Sequence, residues 1–195
     1  MMDTLLVSFH YKPKPDFDFG THNSFVQNGR ADIWGLKMGI SYHKRVRFGL
    51  GYNFMSSDLT QPLSMPDRGA VFPQVLMHMK MNYGSVYFTY VYFTNKHWEF
   101  NIPLQLGIGN SKYVYSYEGT NYTVKSELII LYEPMVETKY YIFPWLGIYL
   151  DVGIRLMLKD NPELGKNFNS PMYALGLFLG YGELYNRAAQ FVKNR

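Results

Sequence analysis

The stretch from Leu146 to Leu158 reads LGIYLDVGIRLML and alternates without exception between aliphatic and other side chains. Its even-numbered residues are all Leu, Ile or Val, whereas its odd-numbered residues are Gly, Tyr, Asp, Arg and Met. Successive side chains point to opposite faces of a β-strand, so the segment predicts a strand with one wholly aliphatic face. The opposite face, which carries Asp151 and Arg155, is small, polar or charged.

This aliphatic face is longer than a strand in a water-soluble protein needs to cover its half of a core. A strand that has lipid on one side and a polar lumen on the other requires this pattern. We therefore predict that the following side chains face lipid: Leu146, Ile148, Leu150, Val152, Ile154, Leu156 and Leu158.

The same alternation recurs in residues 34–42, 46–54, 98–108 and 173–181. Aromatic residues often stand at the ends of the apolar rows, as in the girdles that transmembrane barrels carry at both membrane interfaces. Helical spacing is confined to the C-terminal residues 184–195, which predict a short amphipathic tail; a docked or frayed terminus is the alternative.

These patterns predict eight strands, near residues 4–11, 31–43, 45–56, 71–93, 97–117, 122–141, 145–158 and 171–182. Long or tall connections (12–30, 57–70, 118–121 and 159–170) then alternate with tight ones (43–45, 95–96 and 143–144). Outer-membrane barrels have short periplasmic turns and longer outer loops, and eight strands satisfy that rule at every connection. We predict an all-β fold, an eight-stranded antiparallel up-and-down transmembrane β-barrel. It forms a single domain over residues 1–195, with a periplasmic tail at 183–195.

The segment 71–93 is interpreted as one long strand whose outward set begins with Val75, Met77, Met79 and Met81. Beyond Gly84 the apolar row changes face, which a β-bulge would produce. Two strands joined by a turn at Gly84 are the competing interpretation, but they would disrupt the alternation of long and short connections.

The polar faces of the strands predict a network of charged side chains in the lumen: Lys37, Arg47, Glu99, Glu133, Glu137, Lys139, Asp151 and Arg155, with His78 and Lys80 beside them. An eight-stranded barrel has an interior just wide enough for side chains to fill. Opposite charges there should pair, because an isolated buried ion is costly. We expect a structural plug; a small polar cavity that binds a ligand or a proton is the alternative.

Composition excludes several classes of function. The net charge of +4 comes from scattered Lys and Arg residues, which argues against a nucleic-acid partner. The absence of cysteine excludes disulfides, thiolate metal sites and cysteine nucleophiles. The five histidines lack metal-ligand spacing, and Ser24 with His22 or Ser126 with Glu127 are short-range coincidences. We therefore predict no catalytic residues, metal or cofactor.

Four stretches resemble the outer-membrane β-barrel proteins common in Bacteroidetes-type bacteria: VRFGLGYNFM (46–55), NIPLQLGIG (101–109), FPWLGIYLDVGIRLML (143–158) and ALGLFLGYGELY (174–185). The resemblance implies a bacterial outer-membrane location, and it identifies no residues as catalytic. Members of the family range from uncharacterised barrels to accessory parts of secretion systems. This chain departs from the pattern because no signal peptide is visible in MMDTLLVSF and because it ends in Lys193-Asn194-Arg195 rather than a terminal aromatic residue.

Three functional hypotheses follow. The first is a non-enzymatic outer-membrane barrel with a plugged lumen and a structural, secretion-accessory or partner-binding role. It would contact membrane lipid and a protein partner at the outer loops or the tail, most simply as a monomer. The second is a barrel enzyme that modifies lipid or lipopolysaccharide. The third is a soluble barrel that carries an apolar ligand, which should place its apolar rows inward.

Overall fold

A computed structural model of the chain describes residues 7–26, 29–43, 45–57, 59–63, 66–67, 70–71, 75–117, 120–159 and 169–179. Its strands are β1 (Lys14–Val26), β2 (Gly29–Tyr42), β3 (Val46–Met55), β4 (Leu59–Leu63), β5 (Pro66–Asp67), β6 (Ala70–Val71), β7 (Val75–Thr94), β8 (Trp98–Tyr117), β9 (Thr120–Phe143), β10 (Leu146–Lys159) and β11 (Ser170–Leu179).

Eight of these strands form a closed ring in the order β3-β2-β1-β11-β10-β9-β8-β7, and β7 pairs back with β3. β4 pairs with β7 beyond the end of β3, while β5 and β6 form a separate two-stranded ladder. All neighbours in the ring are antiparallel. The predicted eight-stranded, antiparallel, up-and-down barrel is therefore confirmed.

The tight turns β2–β3, β7–β8 and β9–β10 lie together at one end of the barrel, which we call the short-turn end. Each of these turns lies at its predicted position or within one residue of it. In the β7–β8 turn, Asn95 Oδ1 accepts hydrogen bonds from the backbone N–H groups of His97 and Trp98. His43 in the β2–β3 turn has a φ of 47°, the left-handed conformation that tight turns use.

The predicted first strand, residues 4–11, is wrong over residues 7–11, and its residues 4–6 lie outside the described part of the chain. Val7 and Ser8 begin a helical turn whose carbonyls accept the backbone N–H groups of His10 and Tyr11, and the first strand is instead β1. The prolines and polar residues of 12–26 had indicated a loop. A strand beside a polar lumen needs an apolar outer face only, and a proline is tolerated at a strand start.

The orientation predicted for the first half of β7 is also wrong, although β7 is a single strand. Met79 and Met81 are buried inside the barrel, and alternation places His78 and Lys80 outward. The same alternation continues through Gly84 without a change of face, and the register shift of this strand lies between Val91 and Phe93.

The ring is closed by β1 and β11, whose ladder is the shortest in it. Among the described residues it contains only the pairs Asn23–Tyr173 and Ser24–Met172, whereas β1 pairs with β2 along its whole length. Continuing the same register would set Phe19 opposite Leu177, yet no ladder joins residues 14–22 to 174–179. This short-turn half of the junction, which we call the β1–β11 seam, lacks sheet pairing.

In the ranges given above, no helix combines the length and the apolar character needed to cross a membrane. The predicted C-terminal tail at 183–195, the end of the last predicted strand and the hairpin tip Glu118-Gly119 lie outside the described residues.

Candidate functional site

The interior of the barrel is divided along its axis into an apolar part and a polar part. In the half remote from the short turns, buried side chains from β2, β7, β8 and β9 form an apolar core: Ala31, Ile33, Met79, Met81, Tyr83, Tyr113, Ile129 and Leu131. Met55, Tyr115 and Met157 pack against this core. Side chains thus fill the lumen at this level, as expected for a barrel of eight strands.

Glu133 occupies the next inward-facing position of β9 after Leu131 and lies at the centre of a buried polar layer. Its Oε1 accepts hydrogen bonds from Arg155 Nε at 2.6 Å and from the Tyr83 hydroxyl at 3.1 Å. Its Oε2 accepts from Gln105 Nε2 at 2.8 Å, and Arg155 Nη1 donates to Ser24 Oγ at 3.2 Å. We call these five residues the Glu133 layer. Because they come from five strands, the layer ties the wall together across the lumen.

A second group of polar side chains, the Arg47–Lys139 cluster, lies nearer the short-turn end. Arg47 Nη2 donates to Glu99 Oε1 at 2.7 Å, and the Tyr141 hydroxyl donates to Glu99 Oε2 at 3.0 Å. Asn101 donates through Nδ2 to both Glu99 and Glu137, and Lys139 Nζ lies 3.1 Å from Glu137 Oε1. Each carboxylate here has a cationic partner, which is the condition for keeping charges out of water.

His22 and Asp151 form a third contact, with Nε2 and Oδ2 3.3 Å apart. Beside them Tyr149 extends inward from β10, passes Gly176 of β11 and reaches Gly20 of β1. A Cβ atom on Gly20 would lie 3.2 Å from its hydroxyl oxygen, and one on Gly176 would lie 3.0 Å from it. Tyr149 therefore spans the inner side of the β1–β11 seam.

These groups surround a cavity of about 860 Å³ at the short-turn end, which we call the chamber. Its cationic lining residues are Lys14, Lys37, Arg47, Lys96 and Lys139. Its anionic lining residues are Asp16, Asp18, Glu99, Glu137 and Asp151. Five charges of each sign leave the lining neutral overall when His22 is uncharged. Such a surface can hold a polar ligand that carries both signs of charge.

The structure places all eight side chains of the predicted lumen network on the inner face of the barrel. Glu133 and Arg155 belong to the Glu133 layer, and four more belong to the Arg47–Lys139 cluster. Asp151 contacts His22, and Lys37 has its Nζ 5.8 Å from the centre of the Tyr87 ring. His78 and Lys80, expected beside them, lie on the outer face instead.

Sequence reasoning missed the inward residues of β1, namely Asp16, Asp18 and His22, because it assigned them to a loop. The alternation Asp16-Phe17-Asp18-Phe19 is the signal that could have identified them. It also missed Tyr83 and Gln105, since a charge-based search of the polar faces does not single out neutral hydrogen-bonding groups.

The described residues do not assemble a catalytic pair from the two candidates in the sequence. The Ser24 hydroxyl accepts a hydrogen bond from Arg155, and His22 directs Nε2 to Asp151. Ser126 and Glu127 are adjacent and exposed on β9, so their side chains point to opposite faces. In the described part of the chain, no group of three or more His, Asp or Glu residues is arranged to hold a metal ion.

The outer face complements this interior. On β10, Ile148, Leu150, Val152, Ile154 and Leu158 are exposed, while Leu146 and Leu156 are half-buried. All seven lie opposite the inward Asp151 and Arg155, so the strand separates an aliphatic outer surface from a charged inner one.

Comparison with known proteins gave structural matches only. No protein-family model and no curated protein matches the chain. Among solved structures, neisserial surface protein A is similar over 85% of this chain and 96% of its own, with 10% identity and a TM-score of 0.48. Ail, the attachment invasion locus protein of Yersinia pestis, crystallised with the heparin analogue sucrose octasulfate, is similar over 86% of this chain and 98% of its own, with 15% identity and a TM-score of 0.47. These similarities are too distant to transfer a function to this chain.

Proposed function

We propose that this chain is an integral outer-membrane β-barrel of a bacterium, of the Bacteroidetes type, with a closed lumen and a non-enzymatic structural or partner-binding role. One observation carries the proposal: an apolar outer surface encloses a charged interior. Every strand of the ring presents exposed apolar side chains outward, among them Phe17, Leu36, Leu50, Val86, Ile108, Val136, Val152 and Leu177.

The extent of this outer surface favours lipid as its environment. Monomeric soluble proteins rarely expose continuous apolar patches larger than a few hundred Å². Here the exposed apolar residues continue around the ring, and the charged side chains of the Glu133 layer and of the Arg47–Lys139 cluster lie inside. A soluble carrier of an apolar ligand requires the reverse arrangement, so the geometry disfavours that alternative.

A belt of aromatic side chains at the short-turn end supports the same location. Trp98 stacks on Phe100 with ring centres 5.9 Å apart and lies 4.8 Å from Tyr140, while Phe143 stacks on Trp145 at 5.8 Å. Aromatic rings are enriched where an apolar surface meets a wet interface, which makes this belt suited to one membrane boundary.

The closed interior supports a role other than diffusion of solutes. A solute entering the chamber from the short-turn end would meet the Glu133 layer and then the apolar core. Both consist of buried side chains packed across the lumen. We infer that the short-turn end faces the periplasm, as in other barrels, and that a partner binds at the outer loops or the tail.

Two measurements test the proposal. The purified full chain should float with phospholipid vesicles and require detergent or lipid to stay monodisperse; a monodisperse protein in plain buffer would overturn the membrane assignment. In planar bilayers the inserted protein should give no stable single-channel steps, since the lumen is filled. Reproducible ion-sized steps would overturn the closed lumen while leaving the location intact.

An enzyme acting on membrane lipid is the remaining class. The polar chamber could accept a headgroup, but the described residues assemble no nucleophile beside a base. Incubation of the reconstituted protein with outer-membrane lipids, followed by mass spectrometry, should leave the lipids unchanged. A new lipid product that depends on His22 or Asp151 would replace the non-enzymatic role.

A further inference from the structure

We propose that the β1–β11 seam is a lateral portal through which the chamber binds the headgroup of a zwitterionic phospholipid, whose acyl chains stay on the outer face of the barrel. The inference rests on the proposed membrane location and adds a ligand to the polar interior.

The chamber reaches the outer surface at this seam. Its lining includes Phe17 and Phe19 of β1 and Leu177 of β11, all of which are outward-facing and exposed. Residues from both faces of β1 therefore border the chamber, next to the edge of β1 that no ladder joins to β11. Leu175 and Leu177 are 72% and 68% exposed, more than any other large apolar residue among those described, so β11 has an uncovered flank at this level.

Because no ladder joins the two strands at the seam, their backbone N–H and C=O groups there need other hydrogen-bond partners. In hydrocarbon, a strand edge with unpaired N–H and C=O groups is costly unless other polar groups satisfy them. Tyr149 reaches the backbone at Gly20 but is a single side chain. A phospholipid headgroup has phosphate oxygens that accept hydrogen bonds from N–H groups and, in an ethanolamine headgroup, an ammonium that donates to C=O groups. It therefore suits an edge that presents both.

Charge complementarity selects the type of headgroup. The chamber lining carries equal numbers of cationic and anionic side chains, so it has no net attraction for an anionic headgroup over a neutral one. Two of its five cations, Arg47 and Lys139, are paired with carboxylates, whereas the described contact of Lys37 Nζ is with the Tyr87 ring. Lys37 is placed to receive the phosphate, and Asp16 and Asp18 on the neighbouring strand are placed to receive the ammonium.

Apolar side chains continue from the portal along the outer face. A shallow surface cavity of about 310 Å³ beside the seam is lined by Phe17, Asp18, Phe19 and Leu36. An acyl chain leaving the chamber would lie against these side chains. Because the chamber is at the short-turn end, which we assign to the periplasmic side, the ligand comes from the phospholipid leaflet rather than from lipopolysaccharide.

Photolabelling tests the portal. The full chain is reconstituted in vesicles that contain phosphatidylethanolamine with a photoactivatable group in its acyl chain, irradiated, digested and mapped by mass spectrometry. Label should concentrate on residues 15–20 and 174–178 rather than around Leu50 and Val86, which lie on a fully paired junction. Even labelling around the barrel would overturn the proposal.

Closing the seam provides a second test, and the chain has no cysteine to interfere. The Phe19→Cys/Leu177→Cys variant should lose the concentrated label when oxidised and regain it when reduced. The matched control, Leu50→Cys/Val86→Cys, should label like the parent protein in both states. A crosslinked seam that labels as before would contradict the portal.

Headgroup recognition is tested without a crosslink. Lys37→Gln should lower the retention of phosphatidylethanolamine by about tenfold, the effect of losing one charge-assisted contact. The same change at the outward Lys80 should have no effect. Equal retention by both variants, or equal capture of phosphatidylglycerol by the parent protein, would overturn the zwitterion assignment.

The vesicle experiments also separate this inference from the proposed function. A protein that floats with vesicles but is not labelled at the seam refutes the portal alone, whereas a protein that does not float refutes the membrane location.

Discussion

Arg155 and Glu133 form a salt bridge inside the barrel, with Nε and Oε1 2.6 Å apart and each residue only 1% exposed. The pair joins β10 to β9 at a level where buried side chains are packed across the lumen. Its Glu133 carboxylate also accepts hydrogen bonds from Tyr83 and Gln105. The pair is therefore a structural junction, and neither partner is available as a catalytic acid or base.

Breaking this pair should be strongly destabilising. Arg155→Met leaves the Glu133 carboxylate buried without its cation, which should lower the free energy of unfolding by about 3–5 kcal/mol. Urea unfolding of the protein in liposomes, followed by tryptophan fluorescence, measures the change. Lys80→Met, which alters an exposed cation on the outer face, is the control and should have little effect.

The double variant Arg155→Met/Glu133→Met distinguishes a buried charge from a lost packing contact. Replacing a whole buried ion pair by apolar residues is often neutral or stabilising, so the double variant should be more stable than Arg155→Met alone. A double variant as unstable as the single one would mean that Arg155 acts mainly through its packing and its hydrogen bond to Ser24.

Gly107 should tolerate no side chain. It faces the lumen opposite Leu131, and a Cβ atom there would lie 2.6 Å from the Tyr83 ring and 2.9 Å from Leu131 Cδ1. Gly107→Val should therefore cost about 1–3 kcal/mol of overpacking. Gly84→Val is the matched control, because the nearest atom to its added Cβ is 4.0 Å away on the outer face. Equal destabilisation of both variants would show that crowding against Tyr83 and Leu131 is not the cause.

The fold was largely predictable from one rule: in a barrel with a polar lumen, the apolar face of an alternating strand points outward. The rule held along β10, where Ile148 and Val152 are exposed and Asp151 and Arg155 are buried. It failed where the interior itself is apolar. In the first half of β7 the apolar Met79 and Met81 face inward while His78 and Lys80 face outward, so the rule assigned the wrong face.

The contents of the lumen were predictable only in part, and only as residues rather than contacts. Alternation identified inward charges such as Arg47 and Glu99 but missed those of β1, and which cation meets which carboxylate depends on register and stagger between distant strands. The separation of the interior into an apolar core, the Glu133 layer and the chamber also depends on depth along the axis. The position of the β1–β11 seam could not be predicted either, because the local sequence pattern does not reveal where two neighbouring strands stop pairing.

The corrected orientation of β7 gives an independent test. Met81 lies in the apolar core and is 4% exposed, so Met81→Lys would bury an unpaired charge. We expect a loss of several kcal/mol or a failure to fold in liposomes. Lys80→Met, one residue away on the outer face, should fold normally. If Lys80→Met were the damaging change and Met81→Lys the tolerated one, the register of this strand would have to be shifted by one residue, which exchanges its two faces.

The depth of each outward residue in the membrane should decide what an added charge costs. β10 runs from Leu146 at the short-turn end to Lys159 at the opposite end, which places Val152 near its middle and Leu158 near its end. Both side chains are exposed, at 55% and 63%, so replacing either one removes little packing within the protein.

In a bilayer, Val152→Arg should lower the free energy of unfolding by about 2–4 kcal/mol, and Leu158→Arg by about 0–1 kcal/mol, because the penalty falls towards the interface. Reversible unfolding from liposomes measures both values. Equal and small costs for the two variants would mean that the outer face does not meet hydrocarbon, and the membrane location would have to be abandoned.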